Sequence, residues 1–238
     1  MKRFLNRSIR ILAILWLAVA AAAGLIYLHR TYSVSEVIVS VESGNAFHLV
    51  GLNDLKGTTM LLLSEKHVAD DLQKRNPAIQ TISVARVFPS TLKIKIATRK
   101  PLAALHVSDE GVFLLDRDGI VLSRQQNYVG NLPRVKYYQT FSYKQFQVGD
   151  AIDYKDIITA LYFIDQLNGF GYPSKHIDID GLYMIRLVVS EDKLFFVTSE
   201  KDIAIQIYQL KELLRQFKIQ GKDFKTIDLR FDKPVITI

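Results

Sequence analysis

Two pairs of carboxylates are the first candidates for chemistry in this chain. Asp116 and Asp118 stand two residues apart in LLDRDGIV, and Asp178 and Asp180 stand two apart in HIDID. On a strand, that spacing points both side chains to one face. An acid/base dyad or a divalent-cation site would use such an arrangement. Neither pair has a third ligand or an oxyanion donor beside it in sequence. Asp is also favoured in tight turns and on strand edges for structural reasons. Turn-forming or solvated carboxylates are therefore the expected reading of both pairs. The five histidines, at 29, 48, 67, 106 and 176, are dispersed and fall into no ligand spacing. Gly169-Phe170-Gly171 runs into Tyr172-Pro173 rather than into a helix, so it reads as a turn and not a dinucleotide loop. The chain holds no G-x-x-x-x-G-K-[ST] and no G-x-S-x-G run. With no cysteine, disulfides and thiolate metal sites are excluded. No cofactor, metal or catalytic residue is expected, and an anchored envelope enzyme using Asp178 and Asp180 is the minority alternative.

Charge and hydropathy give the setting in which such residues would act. Of the net +7, five charges fall in residues 1–30, which hold Lys2, Arg3, Arg7, Arg10 and Arg30 and no acid. The remaining residues carry a surplus of only two, so a nucleic-acid footprint is not supported. Ile11 to Leu28 is an uncharged apolar run, ILAILWLAVAAAAGLIYL. As a helix it rises roughly 27 Å, close to the thickness of a bilayer core. The basic residues before it predict a cytoplasmic tail over 1–10, a transmembrane helix over 11–28 and export of residues 31–238. Ala20 to Ala23 supply small residues for the rival reading, a cleaved signal peptide, but the run continues through Leu25, Ile26 and Leu28.

The exported part reads as α+β. VSEVIVSV (34–41) has the alternation of a strand. A short helix is predicted over Leu49–Leu55, and a second over 65–75, capped by Ser64 with Val68 and Leu72 inward. Pro77 ends it. Strands come next around Ile82 and Val84 and over Leu92–Ala97, where Leu92, Ile94 and Ile96 alternate with Lys93, Lys95 and Ala97 between Pro89 and Pro101. The order β-α-α-β-β makes one compact module over 34–100. Beyond Pro101, residues 101–238 read as a mixed β domain with antiparallel strands and two or more helices. GVFLLDRDGIVLS (111–123) is a hairpin with Asp118-Gly119 in its turn. A helix over 153–168 takes Asp153 as its cap and turns Ile157, Leu161 and Ile164 inward. Strands are expected over 176–180, 182–189 and 193–198. Ser199 is expected to cap a long helix bearing Ile203, Ile207, Leu210, Leu214 and Phe217, closed by Gly221. FKTIDLRFDKPVITI closes the chain with one or two strands.

Four segments, in order behind a single apolar run, resemble the bacterial cell-division family FtsQ/DivIB. They are Asn76 to Leu92 (NPAIQTISVARVFPSTL), Arg99-Lys100-Pro101-Leu102-Ala103, Leu115 to Val121 (LDRDGIV) and Ile227-Asp228-Leu229-Arg230-Phe231. Thr98 departs from the acidic residue usual before the second of these. The resemblance implies a POTRA module followed by a β domain. It also implies a non-enzymatic, single-pass divisome subunit in the inner membrane at the division septum. The implied partners are FtsB- and FtsL-type proteins, one of which adds a strand beside the terminal β strand. The matching positions are Arg230 and Phe231, with the following strand through Val235, Ile236 and Ile238. A second recruitment surface on the POTRA module matches Thr81, Val84 and Arg86. The chain stops shortly after its terminal strand, which leaves that edge open. The alternative within the same module is another POTRA-bearing envelope assembly or export factor.

Overall fold

The computed structural model describes the backbone of residues 2–42, 49–107, 111–126, 128–181, 183–190 and 192–238, with side chains from Leu15 onward. His48 and Leu182 lie outside the described residues. The chain divides into two compact units, Met1–Thr98 and Arg99–Ile238.

The first unit opens with helix α1 (Lys2–Thr31), which contains the predicted apolar run. Leu15, Trp16, Leu17, Val19, Leu25 and Ile26 are all well exposed. Among the described residues no helix is long and apolar enough to cross a membrane. The first four residues of the predicted span fall before the described side chains.

Strand β1 (Glu36–Val41) comes next, then a single 3-10 turn (Leu52–Leu55), helix α2 (Glu65–Arg75) and strands β2 (Ile79–Val87) and β3 (Thr91–Thr98). The first of the two expected helices is thus only that turn. Strand β3 is central, parallel to β1 and antiparallel to β2. Its alternation is realised as expected: Leu92, Ile94 and Ile96 are buried, while Lys93 and Lys95 face solvent. Burial of these side chains against Val68 and Leu72 of α2, with Met60 and Ile79, supplies the hydrophobic driving force of the unit. Ser64 caps α2 through its hydroxyl, as expected. The helix ends at Asn76, whose amide donates to Leu72 O at 2.7 Å and Val50 O at 3.0 Å and accepts from Val50 N at 2.9 Å. A buried amide with every group paired in this way ties the preceding loop to the helix end.

The second unit is a nine-stranded mixed sheet with two helices packed against it. Its strands are β4 (Ala103–Val107), β5 (Gly111–Leu115), β6 (Val121–Gln125), β7 (Arg134–Tyr137), β8 (His176–Ile179), β9 (Ile185–Ser190), β10 (Lys193–Val197), β11 (Thr226–Asp228) and β12 (Val235–Thr237). The spatial order is β12-β11-β10-β9-β8-β7-β4-β5-β6. Helix α3 (Lys155–Gly169) lays Ile157, Leu161 and Ile164 onto Leu105, Val135, Ile177, Leu187 and Phe195 of the sheet. Helix α4 (Ile203–Gln220) connects β10 to β11, which run parallel as such a crossover requires. Leu210 is fully buried, while Ile203, Ile207, Leu214 and Phe217 pack at the core's margin.

Two expected caps are corrected. Asp153 does not cap α3, whose N-cap is Tyr154 with no side-chain bond. Ser199 does not cap α4. A turn intervenes, and Asp202 takes that role, accepting from Ala204 N at 2.7 Å and Ile205 N at 3.2 Å. The Ser199 hydroxyl instead donates to the carboxylate of Asp156 in the first turn of α3. Between the two, Gln206 is fully buried and bonds the Thr198 backbone in both directions, at 2.8 and 3.1 Å.

The two edges of this sheet differ. At β6, Val121 N donates to Asp150 O at 2.9 Å and Gly149 N donates to Val121 O at 2.8 Å. Arg124 also reaches Tyr143 O at 2.6 Å, so the segment 143–151 lies along that side. At the other end, among the described residues, β12 pairs with β11 alone.

Candidate protein-docking edge

Both carboxylate pairs are engaged in structural hydrogen bonds and ion pairs. Asp116 accepts from Asp118 N at 3.0 Å and Ile120 N at 2.8 Å, closing the β5–β6 turn. The Arg99 guanidinium bridges Asp116 and Asp118, reaching the latter at 2.9 Å. Burial disfavours the charge on Arg99, yet its two carboxylate partners outweigh that and hold its pKa above the ordinary arginine value. Asp178 and Asp180 do not make a dyad. Asp178 receives His176 Nε2 and Arg186 Nη2, each at 2.6 Å, and Asp180 stands 3.9 Å from the same guanidinium. Burial pushes the Asp178 carboxyl up, and the hydrogen bonds from Arg186 and His176 more than reverse this, leaving it below the usual aspartate range. Among the described residues no group of three His, Asp or Glu side chains could hold a metal ion.

The C-terminal hairpin is different in kind. Strand β11 joins the sheet beside β10, with Leu194 opposite Thr226 and Phe196 opposite Asp228. Strand β12 returns antiparallel, with Ile236 opposite Ile227 and Val235 opposite Asp228. Among the described residues nothing pairs with the outer side of β12. Val235, Ile236 and Ile238 are 53%, 36% and 71% exposed. An apolar outer strand of this kind presents a row of unpaired backbone groups and a template for a further strand.

The sequence placed Arg230 and Phe231 on the terminal strand. They lie instead in the turn between β11 and β12, because β11 ends at Asp228. Arg230 folds back on its own strand. Its Nε donates to Asp228 Oδ1 at 2.9 Å and its Nη2 to Asp228 Oδ2 at 2.6 Å, and its guanidinium carbon sits 5.0 Å from the Phe196 ring centre. The Asp228 hydrogen bonds raise its pKa above the ordinary arginine value. Phe231 is 54% exposed, so it is not a core residue. Lys201 Nζ donates to Phe231 O at 2.8 Å and Leu229 O at 3.2 Å, while Gln209 Nε2 donates to Asp232 O at 2.8 Å. These two side chains from before and within α4 hold the turn in one shape. Neither has a sequence signal, because their partners are carbonyls twenty or more residues away.

The three positions expected on the first unit separate. Thr81 is exposed on β2, one of the two outer strands of its sheet. Val84 is 8% exposed and belongs to the core, so its side chain is not offered to a partner. The alternation of the strand turns it inward, opposite Ile94. Arg86 is half-buried, with Nε on Glu65 Oε1 at 3.0 Å and Nη1 on Met60 O at 3.3 Å.

Comparison with known proteins bears out the family resemblance. Residues 49–99 match the POTRA domain, FtsQ-type. That stretch covers the 3-10 turn, α2, β2 and β3. A relative, the cell division protein FtsQ of Rickettsia bellii (strain RML369-C), is 33% identical over 73 residues. The matched segment is 31% of this chain and spans 27% of the relative.

Proposed function

We propose that this chain, which carries the FtsQ-type POTRA domain of the FtsQ/DivIB family, is a non-enzymatic scaffold of bacterial cell division. In this reading α1 anchors it in the inner membrane with its N-terminus in the cytoplasm. The two exported units then recruit other divisome proteins at the septum. The observation that carries the docking part is the open outer strand β12, with apolar Val235 and Ile236 exposed on it and Ile238 exposed just past its end. An FtsB-type partner, held with an FtsL-type one, supplies an extended segment that continues the sheet. Main-chain hydrogen bonds give affinity and alternate side chains give selectivity. The clamped turn bearing Arg230 and Phe231 borders that strand. Thr81 and the Arg86 region on the POTRA module provide a second, independent surface.

The test is binding of the full chain, in lipid nanodiscs, to a purified FtsB–FtsL-type segment. A proline at Ile236 or an aspartate at Val235 abolishes binding while leaving far-UV dichroism intact. Unchanged affinity for both variants removes the edge assignment. Envelope-wide rather than septal fluorescence of a tagged chain favours a general assembly or export factor instead.

A further inference from the structure

A second apolar feature lies in the first unit. The run Met60-Leu61-Leu62-Leu63 splits between core and solvent. Met60 is fully buried and Leu63 packs against the core. Leu61 and Leu62 point out, at 50% and 89% exposed. Phe88, in the β2–β3 turn, is 55% exposed, with Val87 beside it at 38%. These outward side chains do nothing for the core, and apolar clusters left exposed mark contact surfaces.

Their position relative to α1 suggests what they contact. His29, the residue after the predicted apolar run, places Nδ1 2.8 Å from Thr59 Oγ1. Met60 N donates to Tyr32 O at 2.7 Å, and Tyr32 N donates back to Leu28 O at 2.9 Å. Ser33 and Thr59 form a β-bridge, and the Tyr32 and Phe88 rings meet edge-on at 6.1 Å. The exposed leucines and Phe88 are thus tied to the last turn of α1. Leu62 is three residues from Thr59, so it can lie no more than about 10 Å from it along the chain. The headgroup zone of a bilayer is roughly 5–7 Å deep on each side, and apolar faces of interfacial proteins enter this boundary region. Arg30, Lys56 and Lys66, close in sequence to His29, Thr59 and Leu63 respectively, are exposed and suited to anionic headgroups.

We infer that Leu61, Leu62 and Phe88 form a lipid-docking tip that seats the POTRA module on the outer headgroup layer. The inference rests on the reading of α1 as a membrane anchor. Its occupant is the lipid interface and not a partner protein. The tip fixes the tilt of the module at the membrane, rather than leaving it to swing on a single helix.

The absence of cysteine makes the test direct, since each introduced thiol is unique. The full chain carrying Leu62→Cys, Phe88→Cys, Lys74→Cys or Leu25→Cys is labelled with an environment-sensitive fluorophore. It is then reconstituted in phosphatidylethanolamine–phosphatidylglycerol vesicles, with and without nitroxide lipids. The probes at 62 and 88 should shift to the blue and lose emission to headgroup-level nitroxides. The probe at 74, on the exposed far end of α2, should do neither. If 62 and 88 behave like 74 while 25 is quenched, the tip is overturned and the anchor stands. If 25 is not quenched, the anchor reading falls and the tip with it. A blue shift at 62 and 88 without lipid quenching means that protein covers them, which also overturns the inference.

Discussion

The Arg230 guanidinium donates to both oxygens of Asp228, two residues earlier, while lying over the ring of Phe196 on the neighbouring strand. Asp228 is only 8% exposed, and the Arg230 guanidinium supplies hydrogen bonds to both of its carboxylate oxygens. Replacing Arg230 by Ala leaves a buried carboxylate short of donors. We expect a loss of about 1–2 kcal/mol in denaturant unfolding, from the worth of hydrogen bonds to charged groups discounted for partial exposure. Lys in its place recovers little, because an ammonium cannot make the forked contact. A weaker partner affinity in the Ala variant, without that stability loss, would show that the pair acts at the interface alone.

Val235→Asp separates binding from folding. The side chain is more than half exposed on an outer strand, and surface substitutions of this kind usually change stability by less than about 0.5 kcal/mol. Affinity for an added strand should fall by at least tenfold, or about 1.4 kcal/mol. Titration calorimetry and thermal unfolding on the same sample measure both.

The Asp178 cluster sets an acid limit. Its carboxyl pKa is depressed in the folded chain relative to the unfolded value. Its contribution is therefore fully present above the ordinary aspartate pKa of about 3.9 and is lost as pH falls below that toward the folded value. Asp178→Asn should remove about 1–2 kcal/mol at neutral pH and flatten the stability profile in that acid window. An unaltered slope between about pH 4 and pH 2 would mean that Asp178 is not the group responsible.

Gly119 should not tolerate a side chain. Its φ is +78°, and a Cβ there would stand 2.7 Å from Ile158 Cδ1 and 2.9 Å from Ile152 O. Gly119→Ala should cost about 1–3 kcal/mol, from backbone strain together with the close contact. Chemical denaturation reads the loss directly.

Much of this fold is legible in residue spacing. The Leu92-Ile94-Ile96 alternation, the Ser64 cap, the 111–123 hairpin and the Gly221 helix end all rest on local rules, and local rules act within a few residues. The failures have a common cause. Ser199 satisfies every local criterion for a cap, yet its hydroxyl is taken by Asp156, 43 residues away in sequence. The family motif puts Val84 at a surface, but the pairing with Ile94 decides which way it points. The terminal strand is shorter than its residue pattern implies because Arg230 bonds its own Asp228 and turns the chain. The clamp by Lys201 and Gln209 on backbone carbonyls leaves no trace in the sequence, since a carbonyl carries no residue identity.

On the proposed docking, the unequal edges of the nine-stranded sheet would set how many strands it can take up. A sheet open on both sides can pass strands end to end from one molecule to the next and grow into a fibre. Here the segment 143–151 already lies along β6, and only β12, among the described strands of this sheet, is free to accept a guest. On the proposed docking, strand addition to this sheet is a terminating step. The sheet takes up one extended segment at β12, and what is built on it has a fixed composition rather than an open length.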